Sequence, residues 1–188
     1  MATLVVGLIL FLGIHLLPAF PGVRGGLASR WGEGRYKGLF SLVSFAGLAL
    51  IIIGYAKAER GDQLFAPLPA AIAVAPYAMT VAFVLFAAAN MRGYLRQTLS
   101  HPMLIGLLVW SGVHLLANGD LRGTVLFGAF FGYGVVDLFS AVQRHAVKTF
   151  EPVARHDVIA VIAGVVVALV LMTFHRVLFG VQVAPFGI

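Results

Sequence analysis

The sequence predicts an all-α, polytopic transmembrane helical bundle of about six spans, and three observations carry that prediction. Of 188 residues, 61% are hydrophobic and only 11% are charged, whereas soluble domains carry about 25% charged residues. The mean hydropathy is +0.99, and a chain this short leaves too much surface exposed to hide so apolar a composition from water. The apolar residues also gather into six runs of near-spanning length. In lipid such runs become helices, because an open strand cannot satisfy its own backbone.

The runs are 3–20, 39–56, 70–90, 102–118, 122–142 and 158–179. The first, MATLVVGLILFLGIHLLPAF, has no basic leader region and no small-x-small cleavage site, so it reads as a retained span closed by Pro18 and Pro21. The connection PGVRGGLASRWGEGRYKG groups Arg, Trp, Tyr and Lys and belongs at the headgroup level. Pro67 and Pro69 precede the third run, and Pro76 should kink it or mark its true beginning. The fourth opens at Pro102, where a missing N–H costs nothing, and stops at Asn118-Gly119. The fifth, GTVLFGAFFGYGVVDLFSAV, alternates glycine with aromatics. No repeat, soluble domain or long linker interrupts the chain, which reads as a single integral membrane domain over 1–188.

Charge sets the expected topology. The connections after the first, third and fifth runs hold nine Lys and Arg residues, and the other side holds four. That excess places the basic connections in the cytoplasm and both termini outside. The formal charge of +6 is therefore read as membrane orientation, and no nucleic-acid partner is expected. The bilayer is the first partner. With no cysteine in the chain, disulfides, iron–sulfur clusters, zinc–thiolate sites and thiolate-ligated haem are all excluded.

Ionisable groups are costly inside lipid, about 2.5–3.5 kcal/mol each for Arg, Lys or Asp on insertion scales. The ones that remain are candidates for chemistry: His15, His114, Asp137, and His175 with Arg176. In HPMLIGLLVWSGVHLLANGD, His101 and His114 are separated by about 20 Å and about 220° around a helix. They cannot ligate one metal atom. His101 marks the start of its helix, and His114 needs a partner from elsewhere. Ser111, His114 and Asn118 share a face, a polar stripe that should point into the bundle. His15 has no polar companion on its own face. Counting rise along antiparallel spans brings His15 and His114 within a few ångström of the same depth.

A flat cofactor between two such imidazoles is best matched by haem b, which needs imidazole ligands, an apolar slot with small residues, and polar groups for its propionates. Gly128 and Gly132 offer the small residues, and Arg24, Arg30, Arg92 and Arg122 the cations. The plainer alternatives are that Gly128-x-x-x-Gly132 is a helix-packing face, that His114 bonds Ser or Asn across helices, and that Asp137 pairs with an interfacial Arg or Lys rather than relaying protons. Asn118-Gly119-Asp120 reads as a helix stop and turn.

The stretches GIHLLP, RYKGLFSLVSFAGLALIIIGYAKAE and HPMLIGLLVWSGVHLLANGDLRGTVLFGAFFGYGVVDLFS resemble the NnrU family of bacterial membrane proteins, over about residues 5 to 180. That family is similar in its core to the plant 15-cis-zeta-carotene isomerase, a haem b enzyme with histidine ligation. The resemblance implies a bacterial inner-membrane protein associated with denitrification and nitric oxide metabolism. It also implies axial ligation of iron by His15 and His114; the residue pattern itself adds Ser111, Asn118, Gly128 and Gly132 as the expected surroundings of the cofactor. The isomerase carries a cysteine as an alternative ligand; this chain has none. A small apolar substrate or nitric oxide would be the partner of such an iron, for redox or isomerase-like chemistry. Two other classes stand beside it: a small transporter with Asp137, His114 and Asn118 along a polar path, and a non-catalytic assembly factor for respiratory enzymes. Nothing in the sequence sets the oligomeric state.

Overall fold

The computed structural model describes residues 1–183, so the last five residues of the domain expected over 1–188 lie outside the described residues. Helix α1 (Ala2–Leu16) runs into a 3-10 turn at Leu17–Ala19. It is followed by α2 (Pro21–Trp31), α3 (Glu33–Lys57), α4 (Pro69–Ala89), α5 (Tyr94–Leu99), α6 (Pro102–Asn118), α7 (Leu121–Gln143) and α8 (Ala154–Phe179). Five of these, α1, α3, α4, α7 and α8, are long and apolar enough to cross a membrane. Helix α6 is the shorter sixth, with 17 residues. The six expected apolar runs fall on these six helices. The headgroup-level connection is itself a helix, α2, and α3 begins directly after it at Glu33.

The apolar helices pack in the order α3, α1, α7, α6, α4, α8, and the α1–α7 seam is the thinnest. In lipid the tails are as apolar as leucine, so helices associate by close contact of surfaces rather than by escape from water. Glycine makes those contacts here. A Cβ added at Gly7 would stand 2.6 Å from the Ile51 nitrogen, and one added at Gly47 would stand 2.7 Å from the Phe11 nitrogen. With Gly54 lying on Leu4, these positions bring the backbones of α1 and α3 together. Gly164 seats α8 on Val84 of α4, and Gly106 seats α6 on the same helix. Inside, Leu4, Leu8, Leu12, Ile51, Leu126 and Phe127 form one buried cluster.

Pro76 sits inside α4, where Thr80 donates its hydroxyl to the Pro76 carbonyl. At the basic end of the bundle, the Asp157 carboxylate accepts the N–H groups of Tyr94 and Leu95 and so caps α5. At the opposite end Gly119, with φ of +74°, ends α6, and Asp120 caps α7 by accepting from the Gly123 N–H at 2.8 Å. That turn does more than stop a helix. The Gly119 carbonyl accepts from Leu64, the Leu121 N–H donates to Asp62, and the Gln63 amide bridges the Asn118 and Phe65 carbonyls. The connection between α3 and α4 is thereby docked on Asn118-Gly119-Asp120. Arg122 completes the junction by donating to the Tyr55 and Ala58 carbonyls at the end of α3.

Candidate functional site

His114 occupies the half-buried face of α6 that meets α7. Its ring stacks on Phe127 at a centroid distance of 4.8 Å and lies 5.3 Å from Trp110. Its Nδ1 is 2.8 Å from the Trp110 carbonyl oxygen. A carbonyl only accepts, so Nδ1 carries the proton and Nε2 keeps its lone pair. His15 repeats the arrangement one helix pair away, with Nδ1 2.6 Å from the Phe11 carbonyl. His175 does the same through the Val181 carbonyl at 2.7 Å. Each span imidazole is thus fixed in the tautomer that presents Nε2, and among the described residues none of the three Nε2 atoms has a hydrogen-bond partner. Metal-ligating histidines are held in this way, the distal N–H tied to a carbonyl.

The polar stripe expected on α6 faces inward, with Ser111 fully buried. Its members satisfy themselves locally. Ser111 Oγ donates to the Leu107 carbonyl at 2.6 Å, and Asn118 Nδ2 donates to the His114 carbonyl at 2.6 Å. Neither reaches another helix, so the alternative in which His114 bonds Ser or Asn across the bundle is not what forms. Gly128 and Gly132 are also not a packing face within this chain. A Cβ at either would meet nothing within 4 Å, while Gly134 and Gly123 on the same helix are the crowded ones.

The structure does not bring His15 and His114 together. Their rings are joined through three others: His15 to Phe11 at 4.3 Å, Phe11 to Phe130 at 6.0 Å, Phe130 to Trp110 at 5.5 Å, and Trp110 to His114. Phe11 and Trp110 both meet Phe130, and each histidine lies one turn beyond, in opposite directions. The two Cα positions are therefore about 12 Å apart along the bundle axis by helix rise, rather than the few ångström expected from span boundaries. Both side chains lean back toward their helix N-termini, hence toward each other's level. His175, near the end of α8, lies at the same end of the bundle as His114. Among the described residues no group of three His, Cys, Asp or Glu side chains converges to hold a bare metal ion.

Asp137 accepts from the Tyr133 hydroxyl at 2.9 Å and lies 4.0 Å from the Arg144 guanidinium. It pairs with an interfacial arginine, as its position one turn from the helix end suggests. The Tyr133 partner is an i,i+4 neighbour visible in the sequence and passed over there. Asp137 sits toward the basic end, whereas Asn118 closes α6 at the other, and the bonds around them do not link into one polar path. Of the arginines considered for propionates, Arg122 is committed to the α3 carbonyls and Arg24 to Glu33 at 3.3 Å.

Six apolar helices, a charge-poor surface and imidazoles held inside the spans define a multi-pass integral membrane protein of the helical-bundle class. The chain belongs to the NnrU family: the family model described as NnrU protein matches residues 3–183. No curated protein and no solved structure matches it.

Proposed function

We propose that this NnrU protein binds one haem b within its bundle, the iron held by His15 and His114. The observation that carries the reading is the tautomer lock. Both imidazoles spend Nδ1–H on a carbonyl of their own helix and leave Nε2 free to ligate. The open space at Gly128 and Gly132 leaves the α7 backbone uncovered on that side, where a flat ring could lie against it. When bound, the haem would supply a redox-active iron for nitric oxide or a small apolar substrate, in keeping with the family's association with denitrification. Ligation by both histidines requires the Phe11, Phe130 and Trp110 rings to part, which the thin α1–α7 seam favours. The charge asymmetry supports an inner-membrane orientation with both termini periplasmic.

Absorption spectra of the purified chain, oxidised and reduced and after haem addition, test this. A Soret band with a six-coordinate low-spin signature is expected. His114→Ala should empty the site, and His15→Ala should leave a five-coordinate, high-spin haem. No Soret band in any form overturns haem binding. A low-spin spectrum unchanged in His15→Ala removes His15 as a ligand, and a His175→Ala spectrum then identifies the replacement.

A further inference from the structure

At the basic end of the bundle, α4, α5 and the start of α6 enclose a cleft of about 170 Å³ with the 146–150 stretch. Its polar lining is Arg96, Ser100, His101 and Lys148, every one a hydrogen-bond donor, and no carboxylate lines it. Elsewhere at this end Arg24 and Lys37 share Glu33 and Arg144 faces Asp137, while Arg30, Arg35, Arg92 and Arg155, without an ion pair among the described residues, lie outside the cleft lining. The nearby Asp157 spends both oxygens on α5. Arg96 and Lys148 have no ion pair among the described residues. Arg96 instead lies over the Phe150 ring at 5.3 Å, which fixes its guanidinium at the cleft wall.

The backbone around the cleft is unusual as well. Among the described residues only Ser100 and His145 are non-glycine positions with positive φ, at 59° and 49°. One is part of the lining and the other immediately precedes the Ala146–Phe150 wall. Such conformations cost energy and persist where the surroundings fix them. The remaining wall is apolar, and Met103 in it is 43% exposed, so the cleft opens beside the apolar face of α6 at the level where the spans end.

We propose that this cleft binds a phosphate ester, the headgroup of an anionic phospholipid, with its acyl chains along the exposed face of α6. The donors match phosphate oxygens, the absence of a carboxylate leaves their charge uncompensated, and the apolar wall favours a lipid over a soluble phosphate. Basic pockets between spanning helices recognise headgroups by this combination. The site is separate from the His114 region and does not depend on haem.

Native mass spectrometry of the full chain, released from nanodiscs of mixed phosphatidylcholine and phosphatidylglycerol, reads occupancy directly. One retained phosphatidylglycerol per chain is expected, with little phosphatidylcholine. Arg96→Gln/Lys148→Gln should weaken retention about 25-fold, from about fivefold, or about 1 kcal/mol, for each basic residue at a membrane surface. Arg30→Gln/Arg155→Gln removes the same charge from the same end outside the cleft and should leave retention unchanged. Should the double variant misfold, Lys148→Gln alone, an exposed side chain, is expected to lose about fivefold. Equal retention of phosphatidylcholine, or an equal loss in the Arg30/Arg155 control, overturns the proposal. So does binding of inorganic phosphate by calorimetry without lipid retention, which would reassign the cleft to a soluble anion.

Discussion

Replacing Gly7 by Ala adds one methyl group to the α1–α3 seam, where it has no room. The new Cβ would stand 2.6 Å from the Ile51 nitrogen and 2.9 Å from Leu50 atoms, while ordinary contact begins near 3.4 Å. The helices must therefore separate locally by roughly 0.8 Å, the difference of those distances. A gap of that size forfeits a quarter to a half of each dispersion contact across it. In lipid those contacts are the principal force holding α1 to α3, and Leu4, Leu8 and Ile51 lie in the affected cluster. A cost of about 1–3 kcal/mol follows, the usual range for overpacking. Gly128→Ala and Gly132→Ala add the same methyl group where nothing lies within 4 Å. They should be neutral, or stabilising by up to about 1 kcal/mol through the loss of glycine's chain entropy. Reversible unfolding in mixed detergent micelles, followed by tryptophan fluorescence, measures all three. Wild-type stability in Gly7→Ala together with destabilisation in Gly128→Ala would refute the assignment of these glycines to seams and open faces.

Two further outcomes concern the end opposite the basic connections. Gly119→Ala meets the Phe65 carbonyl and the Gln63 side chain while φ is +74°, so it should lose at least the left-handed penalty of about 1–2 kcal/mol. Limited proteolysis should show the α3–α4 connection cut faster after Arg60. Arg122→Lys keeps the charge but loses the two-carbonyl grip on Tyr55 and Ala58 and the stacking at 4.3 Å on Tyr55. It should cost about 1.5–3 kcal/mol, as for hydrogen bonds to a charged group, in the same unfolding assay.

The candidate site is partly legible in the sequence. That His114 faces inward follows from Ser111 and Asn118 at helical spacing on an apolar helix. That these neighbours bond their own backbone does not follow, because a buried hydroxyl or amide reaches a carbonyl one turn back as readily as a neighbouring helix. Span boundaries put His15 and His114 at nearly one depth, and the packed helices do not. The real register is set by which rings interlock, here Phe11 and Trp110 on Phe130. Gly128-x-x-x-Gly132 had the pattern of a packing motif, yet α1 and α6 approach α7 on other faces. Pattern names a close-packing surface; only the neighbours decide whether it is used.

Composition and hydropathy alone determined the class of this protein and where its six apolar helices fall along the chain, because the bilayer imposes a length and a polarity on every crossing segment. The Pro102 start, the Gly119 stop and the concentration of basic residues at one end were equally local. Tertiary structure decided the order of the helices, the glycine seams, the docking of the α3–α4 connection on Asn118-Gly119-Asp120, and the cleft where Arg96 and Lys148 meet. These join residues far apart in the chain. Interactions between apolar surfaces in lipid depend on shape at the scale of a methyl group, which no one-dimensional pattern records.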